Sequence, residues 1–317
     1  MPELNTFQNY FAEEFYDDYR DGLLTRRQFI RRMVFVTGSM AAAIATMSLL
    51  GCSPSELPAL LDGLPPPVPL GELAPVPNAR SPLSVPEGDP AVAGSRVVMT
   101  GGNDQITAYL AQPSETGIYP GVLVCHENRG LNAHIEDVAR RFAKAGYVAL
   151  AIDLLARNGG TSGLDRDEVP GILSNTPEGQ HVADFVAGFR YMQGLDSVDG
   201  DRIGMTGYCF GGGITWRVAT AIPGLKAAVP FYGPAPDLAD VPNIRAAVFG
   251  VYAEQDNRIN AGKDALEQAL TNAGTTFQFR VYPGVNPAFH NDTGGRYVET
   301  QATQAWRDTL EWFGEHI

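Results

Sequence analysis

The chain has 317 residues and a formal net charge of −13, from 23 Lys and Arg against 36 Asp and Glu. Its hydrophobic content of 44% supports a sizeable buried core and excludes wholesale disorder. The acidic balance argues against a nucleic-acid partner, because phosphate binding requires clustered Lys and Arg. The three cysteines, Cys52, Cys125 and Cys209, are too few for a disulfide scaffold or a four-thiolate zinc site.

Residues 1–52 have the features of an export signal. An acidic stretch that includes Asp21 predicts a solvated helix, and residues 25–31 (TRRQFIR) then resemble a twin-arginine motif. The Gly- and Ala-rich apolar run 33–50 suits the hydrophobic region of such a signal. The run ends in LLGC, which resembles a lipoprotein processing box and predicts lipidation of Cys52. The alternative is an uncleaved transmembrane anchor, since eighteen residues can just span a bilayer.

Residues 53–94 are predicted to be a tether. Eleven of the 23 prolines in the chain lie between Ser53 and Ala93. Proline at this density favours extended conformations and provides few backbone donors or apolar groups for a core. The segment is therefore expected to hold the folded part of the chain away from a membrane surface.

Residues 95–317 alternate short apolar runs with helical periodicity and are predicted to form one α/β domain. The continuously apolar runs 122–124 and 148–152 are typical of strands covered on both faces, which predicts a mostly parallel central sheet between two layers of helices. The predicted strands are Arg96–Thr100, Ile106–Gln112, Gly121–Cys125, Tyr147–Asp153, Arg202–Thr206, Ala227–Phe231, Ala247–Tyr252 and Phe277–Tyr282. The predicted helices are Ile135–Ala145, Gln180–Gly194, Phe210–Ala221, Ala261–Ala273 and Val298–His316.

A nucleophile elbow is predicted at Cys209. The fifth predicted strand runs into residues 207–213 (GYCFGGG) and then into a helix, which matches the G-x-C-x-G form of the strand–turn–helix elbow. Glycines flank the strained turn where side chains would collide. The N-terminus of the following helix favours a thiolate. The alternative is a buried cysteine beside a glycine-rich packing site.

A thiol nucleophile needs a base, and the base needs an orienting acid. Of the five histidines, His290 lies in the loop after the last predicted strand, where the α/β-hydrolase order places the base. Asp256 follows the strand Ala247–Tyr252 and is predicted to be the acid, with Asp237 and then Glu254 as alternatives. The order Cys209, Asp256, His290 reproduces nucleophile, acid and base.

With these residues assembled, the chain resembles the dienelactone hydrolase family, the carboxymethylenebutenolidase-like α/β-hydrolases. The marks of the resemblance are GYCFGG at 207–212, HENRG at 126–130, DLLAR at 153–157, and the pair Asp256 and His290. The resemblance implies an α/β-hydrolase fold from about Arg96 to the C-terminus.

The resemblance also implies roles for further residues. Glu127 would hydrogen-bond the thiol and take part in its activation, although a strand-end carboxylate paired with Arg129 is the alternative. The backbone N–H groups of Phe210 and Asn128 would form the oxyanion hole. Arg157 would hold a substrate carboxylate through two parallel hydrogen bonds. Arg296 is the nearest match to a second such arginine, at a position that departs from the family pattern.

These features together predict an exported enzyme that hydrolyses a small ester or enol-lactone through a Cys-His-Asp triad and a thioester acyl-enzyme. A broad-specificity carboxylesterase or thioesterase is the alternative, followed by a non-catalytic envelope binding protein. We expect no metal, cofactor or nucleic acid, and a monomer that lies in the periplasm or outside the membrane. A lipid on Cys52 or the N-terminal apolar segment would tether it.

Overall fold

A computed structural model describes residues 4–52, 76 and 78–317. Its centre is an eight-stranded sheet in the order β1-β2-β4-β3-β5-β6-β7-β8. The strands are β1 (Val92–Gly101), β2 (Asp104–Pro113), β3 (Tyr119–Cys125), β4 (Val148–Ile152), β5 (Val198–Tyr208), β6 (Ala227–Phe231), β7 (Ala247–Ala253) and β8 (Phe277–Tyr282). Each predicted strand is present, with bounds that differ by a few residues.

The sheet is parallel except at one edge. The β1–β2 and β2–β4 pairs are antiparallel, and the strands from β4 through β3 to β8 run parallel to one another. Every residue of β4, β6 and β7 is buried, as expected for strands covered on both faces. The predicted α/β-hydrolase fold, with a mostly parallel sheet and helices on both faces, is confirmed.

Ten α-helices surround the sheet in the described part of the chain. They are α1 (Thr6–Arg20), α2 (Arg26–Thr37), α3 (Met40–Leu49), α4 (Ala133–Lys144), α5 (Val169–Asn175), α6 (Glu178–Gln193), α7 (Phe210–Ala221), α8 (Asn257–Asn260), α9 (Lys263–Ala273) and α10 (Glu299–His316). The five predicted helices correspond to α4, α6, α7, α9 and α10.

The N-terminus of α4 is determined by a capping side chain. The Asn132 side chain accepts hydrogen bonds from the N–H groups of His134 and Ile135, which satisfies two free donors at the helix N-terminus. Val138 and Phe142 lie on the buried face of the helix. Helix α4 packs mainly against β2 and β4.

The folded part begins earlier than the predicted boundary at residue 95. Strand β1 starts at Val92, and the N–H of Val85 donates to Asp137 Oδ1 at 2.6 Å with the Val85 side chain buried. Ser81 N–H donates to Asp292 Oδ2 at 3.1 Å. Thus the prediction of a free tether is wrong for residues 78–94, while residues 53–75 and 77 lie outside the described residues.

The first three helices pack against the α/β domain, so the expectation of a solvated acidic helix is wrong. In α1 the side chains of Phe7, Phe11 and Phe15 are at most 2% exposed. The Phe210 ring lies 4.7 Å from Phe7 and 5.6 Å from Phe11, measured between ring centroids. These aromatic side chains form a hydrophobic face between the acidic positions, which explains why α1 is buried despite its charge.

Helix α2 contacts α5 closely. A Cβ atom on Gly171 would collide with the backbone of Phe35, so the absence of a side chain at Gly171 permits this contact. Asn175 Nδ2 donates to the backbone oxygen of Phe35 at 3.1 Å. Arg31 and Arg32 pair with Asp165 and Asp167, each at 2.8 Å.

The predicted apolar run 33–50 is not one continuous helix. Gly38, with φ of 78°, ends α2, and α3 then departs at 111°. No single helix in the described ranges has the length and apolarity to cross a membrane, and only the bent α2–α3 pair meets those two criteria together. Cys52, directly after α3, is half-buried, and its N–H donates to the Met47 oxygen at 2.9 Å.

Candidate active site

Cys209 occupies the predicted elbow between β5 and α7. Its φ of 59° is in the left-handed region, an unfavourable conformation for a residue with a side chain. Glycines make the turn possible, because a Cβ on Gly207 would collide with the Gly211 oxygen, and one on Gly211 with the His126 oxygen. The strain and its surrounding glycines are those of a nucleophile elbow.

The polar groups that surround the thiol come largely from α1. Glu14 Oε1 lies 3.7 Å from Cys209 Sγ, and the buried Tyr10 hydroxyl lies against the same thiol outside full hydrogen-bond geometry. Burial, followed by the negative charges of Glu14 and Glu127, raises the pKa of Cys209 well above its ordinary value. The resting group is therefore a thiol.

Glu14 lies beside the thiol, although the sequence analysis did not identify it as a candidate site residue. Its side chain is 6% exposed, and Oε1 accepts a hydrogen bond from Asn128 Nδ2 at 3.0 Å. The second oxygen, Oε2, is buried with no hydrogen-bond partner in the described structure. Burial and then the negative charge of Asp18 raise the pKa of Glu14 to about 7, against the opposing effect of Arg258.

The structure does not bring His290 to the thiol. Its ring stacks on Tyr208 at 4.9 Å and contacts Phe231 and Trp306 in an aromatic cluster. Among the described residues it has no hydrogen bond to Cys209 or Asp256, and its Nδ1 is buried without a partner. Burial, with help from the charge of Arg141, lowers the pKa of His290 well below its ordinary value. The hydrogen bonds of the predicted triad are therefore not formed among the described residues, where His290 packs against aromatic rings.

Asp256 also lacks the predicted partner. It caps the short helix α8 by accepting from Ile259 N–H at 3.2 Å, and its Oδ2 is buried with no hydrogen-bond partner among described residues. Burial raises the pKa of its carboxyl. Asp256 shares a cavity with Glu14, Arg258 and Arg296, and His290 does not line that cavity.

The residues implied by the family resemblance at the end of β3 do reach the site. Glu127 and Asn128 line the same cavity as Cys209. Glu127 Oε2 accepts from Asn291 Nδ2 at 2.5 Å, and this amide, rather than Arg129, is its partner. In the described structure the N–H groups of Asn128 and Phe210 have no hydrogen-bond partner, which leaves both available to an oxyanion.

Arg157 is occupied elsewhere. Its Nε pairs with Asp104 and its Nη1 with Asp184, each at 2.6 Å, and its Nη2 donates to the Gly101 oxygen at 3.3 Å. It does not line the cavity that holds Cys209. The expectation that Arg157 anchors a substrate carboxylate is wrong for this arrangement, because strand β1, strand β2 and helix α6 already satisfy the guanidinium.

The cavity beside Cys209 has a volume of about 530 Å³ and is rich in arginine. Arg296 lines it, as expected of a second anchor, but pairs with Asp18 of α1 at 2.8 Å and with Asp21 at 3.2 Å. Arg129 and Arg166 also line it, and in the described residues neither forms an ion pair. Arg32 of α2 is the fourth arginine that lines this cavity.

His126, His181 and Cys125 make structural contacts away from the thiol of Cys209. His126 Nε2 accepts from Leu154 N–H at 3.3 Å, and His181 Nε2 donates to the Leu173 oxygen at 2.9 Å. Cys125 is fully buried in β3. In the part of the chain described, His134, Asp137 and Asp292 have metal-ligand proximity, but Arg141 pairs with both carboxylates, and its positive charge opposes the binding of a cation there.

Comparison with known proteins agrees with this fold. A family model described as the dienelactone hydrolase family matches residues 106–317. The chain belongs to the dienelactone hydrolase family. Dienelactone hydrolase relatives include a putative carboxymethylenebutenolidase of Methylorubrum extorquens, 36% identical over 67% of this chain and 77% of that protein. Another, from Escherichia coli, is 33% identical over 76% of this chain and 93% of that protein.

A solved structure gives the same result. The crystal structure of a putative dienelactone hydrolase from Klebsiella pneumoniae is 31% identical, with a TM-score of 0.66, and the match covers 71% of this chain and all of that one. This dienelactone hydrolase family member therefore has residues that lie outside the part that matches the solved relative. The family model begins at residue 106, so α1–α3 lie outside it.

Sequence reasoning missed Glu14 and Tyr10. The available signal was the spacing of Phe7, Phe11 and Phe15, which recur at every fourth position and predict a buried helix face. Glu14 lies three residues after Phe11 and so borders the same face.

Proposed function

We propose that this dienelactone hydrolase family member hydrolyses small ester or enol-lactone substrates by covalent catalysis at Cys209. The observation that carries the proposal is the strained Cys209 at the elbow, lining a cavity with two unoccupied N–H donors beside it. The sulfur would attack the carbonyl carbon and form a thioester, which water then hydrolyses. The N–H groups of Phe210 and Asn128 would stabilise the negative oxygen of each tetrahedral intermediate.

The predicted Cys-His-Asp triad would require His290 to leave its aromatic surroundings. The proposal therefore assigns the covalent step to Cys209. It does not assign the proton transfer to one of the groups beside the thiol.

The arginines of the cavity favour a substrate that bears a carboxylate. The overall charge of −13 repels anions at long range, so a preference for an anion must come from local cations. Arg129 and Arg166, without ion-pair partners in the described residues, are such cations. A guanidinium can bind a carboxylate through two parallel hydrogen bonds.

The test is turnover by wild type and Cys209→Ala on three substrates: dienelactone, p-nitrophenyl acetate and an acyl-thioester. We expect hydrolysis by wild type and a loss of at least about 10³-fold in Cys209→Ala. Cys125→Ala is the matched control and should keep kcat, since Cys125 is buried in β3. Retained activity in Cys209→Ala would refute covalent catalysis at this residue.

We also propose export by the twin-arginine route, supported by the motif at residues 25–31. Replacing Arg26 and Arg27 with Lys should keep the full-length protein in the cytoplasm. Folded protein outside the inner membrane after that double change would show another route. Mass spectrometry of the exported protein would show whether α1–α3 are retained and whether Cys52 carries a lipid.

A further inference from the structure

We propose that residues 78–85, which precede β1, form a strap that completes the active site around Cys209. In this strap Asn78 contacts the substrate, and Arg80 is a positioning residue that acts through the β8–α10 loop (residues 288–297). The inference rests on the proposed hydrolysis at Cys209. It does not depend on α1–α3, because the strap lies after those helices in the sequence and is retained if export removes them.

One end of the strap is attached to helix α4. The N–H of Val85 donates to Asp137 Oδ1 at 2.6 Å, and the oxygen of Val85 accepts from Arg140 Nε at 2.7 Å. All three residues are at most 4% exposed. Hydrogen bonds to charged groups are strong where water does not compete with them. This end of the strap is therefore fixed to the layer of helices that packs on the sheet.

The other end of the strap holds the β8–α10 loop. Arg80 donates to two backbone oxygens of this loop, from Nε to that of Asp292 at 3.1 Å and from Nη2 to that of Gly294. Its guanidinium also lies over the Tyr297 ring, 5.1 Å from the centroid. The N–H of Ser81 donates to Asp292 Oδ2 at 3.1 Å. One planar guanidinium with several donors thus connects the strap to successive parts of the loop.

The side chain of Asp292 joins the strap, the loop and α4. One carboxylate oxygen accepts from Ser81, while Arg141 and His134 of α4 lie 3.1 Å and 3.0 Å from the other. Asp292, Arg141 and His134 are each at most 3% exposed. The loop is therefore held between the strap on one side and α4 on the other.

The part of the loop that is held in this way carries Asn291, which contacts Glu127 beside the nucleophile. Asn291 Nδ2 donates to Glu127 Oε2 at 2.5 Å, and Asn291 Oδ1 accepts from Thr293 N–H at 3.1 Å and from Thr293 Oγ1 at 2.7 Å. Both loop residues adjoin the backbone oxygens that Arg80 holds. Glu127, Asn291 and Cys209 line the same cavity. A displacement of the loop therefore reaches the nucleophile through one amide and one carboxylate.

The strap also contributes directly to the cavity of about 530 Å³ beside Cys209. Asn78 lines this cavity, together with Val76 just before the strap. Its φ of 68° is in the left-handed region, which Asn tolerates better than most residues. No hydrogen bond joins its amide to another described residue. The amide is therefore available to donate to, or accept from, a substrate in the cavity.

The first experiment measures kcat and KM on dienelactone and p-nitrophenyl acetate with the full-length protein. The variants are Arg80→Ala, Arg80→Lys, Asn291→Ala and the double variant with Arg80→Ala and Asn291→Ala. Arg245→Ala is the matched control, because Arg245 also donates to a backbone oxygen, that of Pro242 at 3.0 Å, but does not line the cavity. Circular dichroism and thermal unfolding establish that each variant is folded.

Arg80→Ala should lower kcat about tenfold on both substrates, because a displaced loop alters the surroundings of the thiol whatever the substrate is. Arg80→Lys should recover part of this loss, since one ammonium can reach one of the two oxygens. The double variant should have a kcat no lower than that of Asn291→Ala, because both changes break the same connection. An unchanged kcat in Arg80→Ala, or losses that multiply in the double variant, would overturn the positioning role.

Hydrogen–deuterium exchange gives a readout that does not require turnover. Peptides that cover the β8–α10 loop should exchange faster in Arg80→Ala than in wild type or Arg245→Ala, because the loop opens more often without its contacts to the strap. Equal exchange in all three proteins would show that the strap does not hold the loop, and the inference would fail.

The variant Asn78→Gly tests the contact with substrate. Glycine accepts a positive φ without strain, so the change removes the amide and keeps the backbone conformation. Loss of one hydrogen bond that is equally strong in the ground state and the transition state should raise KM about two- to tenfold and leave kcat unchanged. An unchanged KM on both substrates would show that Asn78 does not contact the substrate.

These outcomes are separate from that of the proposed function. While Cys209→Ala is inactive, a failure of the strap variants overturns this inference alone. If Cys209→Ala retains activity, the proposed function fails, and the exchange measurement still decides whether the strap holds the loop.

Discussion

The elbow and helix α1 meet at the same sulfur atom but are held there by different forces. The elbow is fixed by the backbone, since the glycines at 207, 211 and 212 permit contacts that no side chain would allow. Helix α1 is held by aromatic packing on Phe210 and by ion pairs with Arg258 and Arg296. The position of the proposed nucleophile is therefore set by local sequence, whereas the position of α1 beside it depends on tertiary contacts that point mutations can weaken separately.

The largest expected effect tests how α1 is held. Phe11→Ala removes a fully buried ring beside Phe210 and should lower the free energy of unfolding by about 3–5 kcal/mol. Urea denaturation measures this effect, with Leu23→Ala as the control, because Leu23 is 48% exposed in the same segment. The control should stay within about 0.5 kcal/mol of wild type. Equal stability of Phe11→Ala and wild type would show that α1 is not docked as described.

The next effect tests the environment of Glu14 without substrate. Its pKa is about 7 in the folded chain and near 4.5 when exposed, so the folded state binds more protons between these values and loses stability as pH rises. Gln resembles the protonated acid and avoids this loss. Glu14→Gln should therefore exceed wild type in unfolding free energy by about 3 kcal/mol at pH 8 and by little at pH 4.

Urea denaturation at both pH values checks this difference, with Glu13→Gln as the control on the exposed side of α1. A stability gain that is the same at pH 4 and pH 8 would contradict a raised pKa at Glu14.

A smaller effect separates structural from substrate-binding arginines. Arg157→Ala leaves the buried Asp184 without its ion-pair partner and should cost about 1–3 kcal/mol of stability. Because Arg157 does not line the cavity of Cys209, kcat/KM should change equally for an anionic lactone and a neutral aryl acetate. Arg190→Ala, exposed on the same helix as Asp184, is the control. A loss confined to the anionic substrate would return Arg157 to the role of anchor.

The smallest expected effect concerns His290. His290→Phe keeps the ring contacts with Tyr208 and Phe231, so kcat/KM should stay within about threefold of wild type. A general base would instead contribute at least about 10²-fold. A loss of that size with normal folding would show that the loop carrying His290 moves to the thiol during catalysis.

The strands of the sheet and the elbow could be predicted because each depends on the residues of a short stretch of sequence. Apolar runs such as 148–152 specify buried strands, and GYCFGGG specifies a strained turn. The environment of the thiol could not be predicted in this way, since Glu14 precedes Cys209 by 195 residues. The same limit applies to Arg157, whose context matched the family while its partners Asp104 and Asp184 come from other elements.

The N-terminal segment shows a second limit. Its paired arginines and apolar run satisfy the pattern of an export signal, yet the same apolar residues, Met33 and Val36 among them, are buried in the folded chain. A sequence pattern of this kind describes hydrophobicity, which suits both a membrane and a protein core. Only tertiary contacts such as those between α2 and α5 distinguish the two.

The most direct test of the central claim measures two rates on the same full-length sample. These are the rate of Cys209 alkylation by iodoacetamide at pH 8, followed by peptide mass spectrometry, and the rate of hydrolysis. The charge of Glu14 raises the pKa of the thiol, so Glu14→Gln should lower that pKa and make alkylation faster. In wild type, hydrolysis should fall in step with alkylation, because the proposed nucleophile is the same sulfur. If alkylation of Cys209 goes to completion while hydrolysis is retained, covalent catalysis at this residue is contradicted.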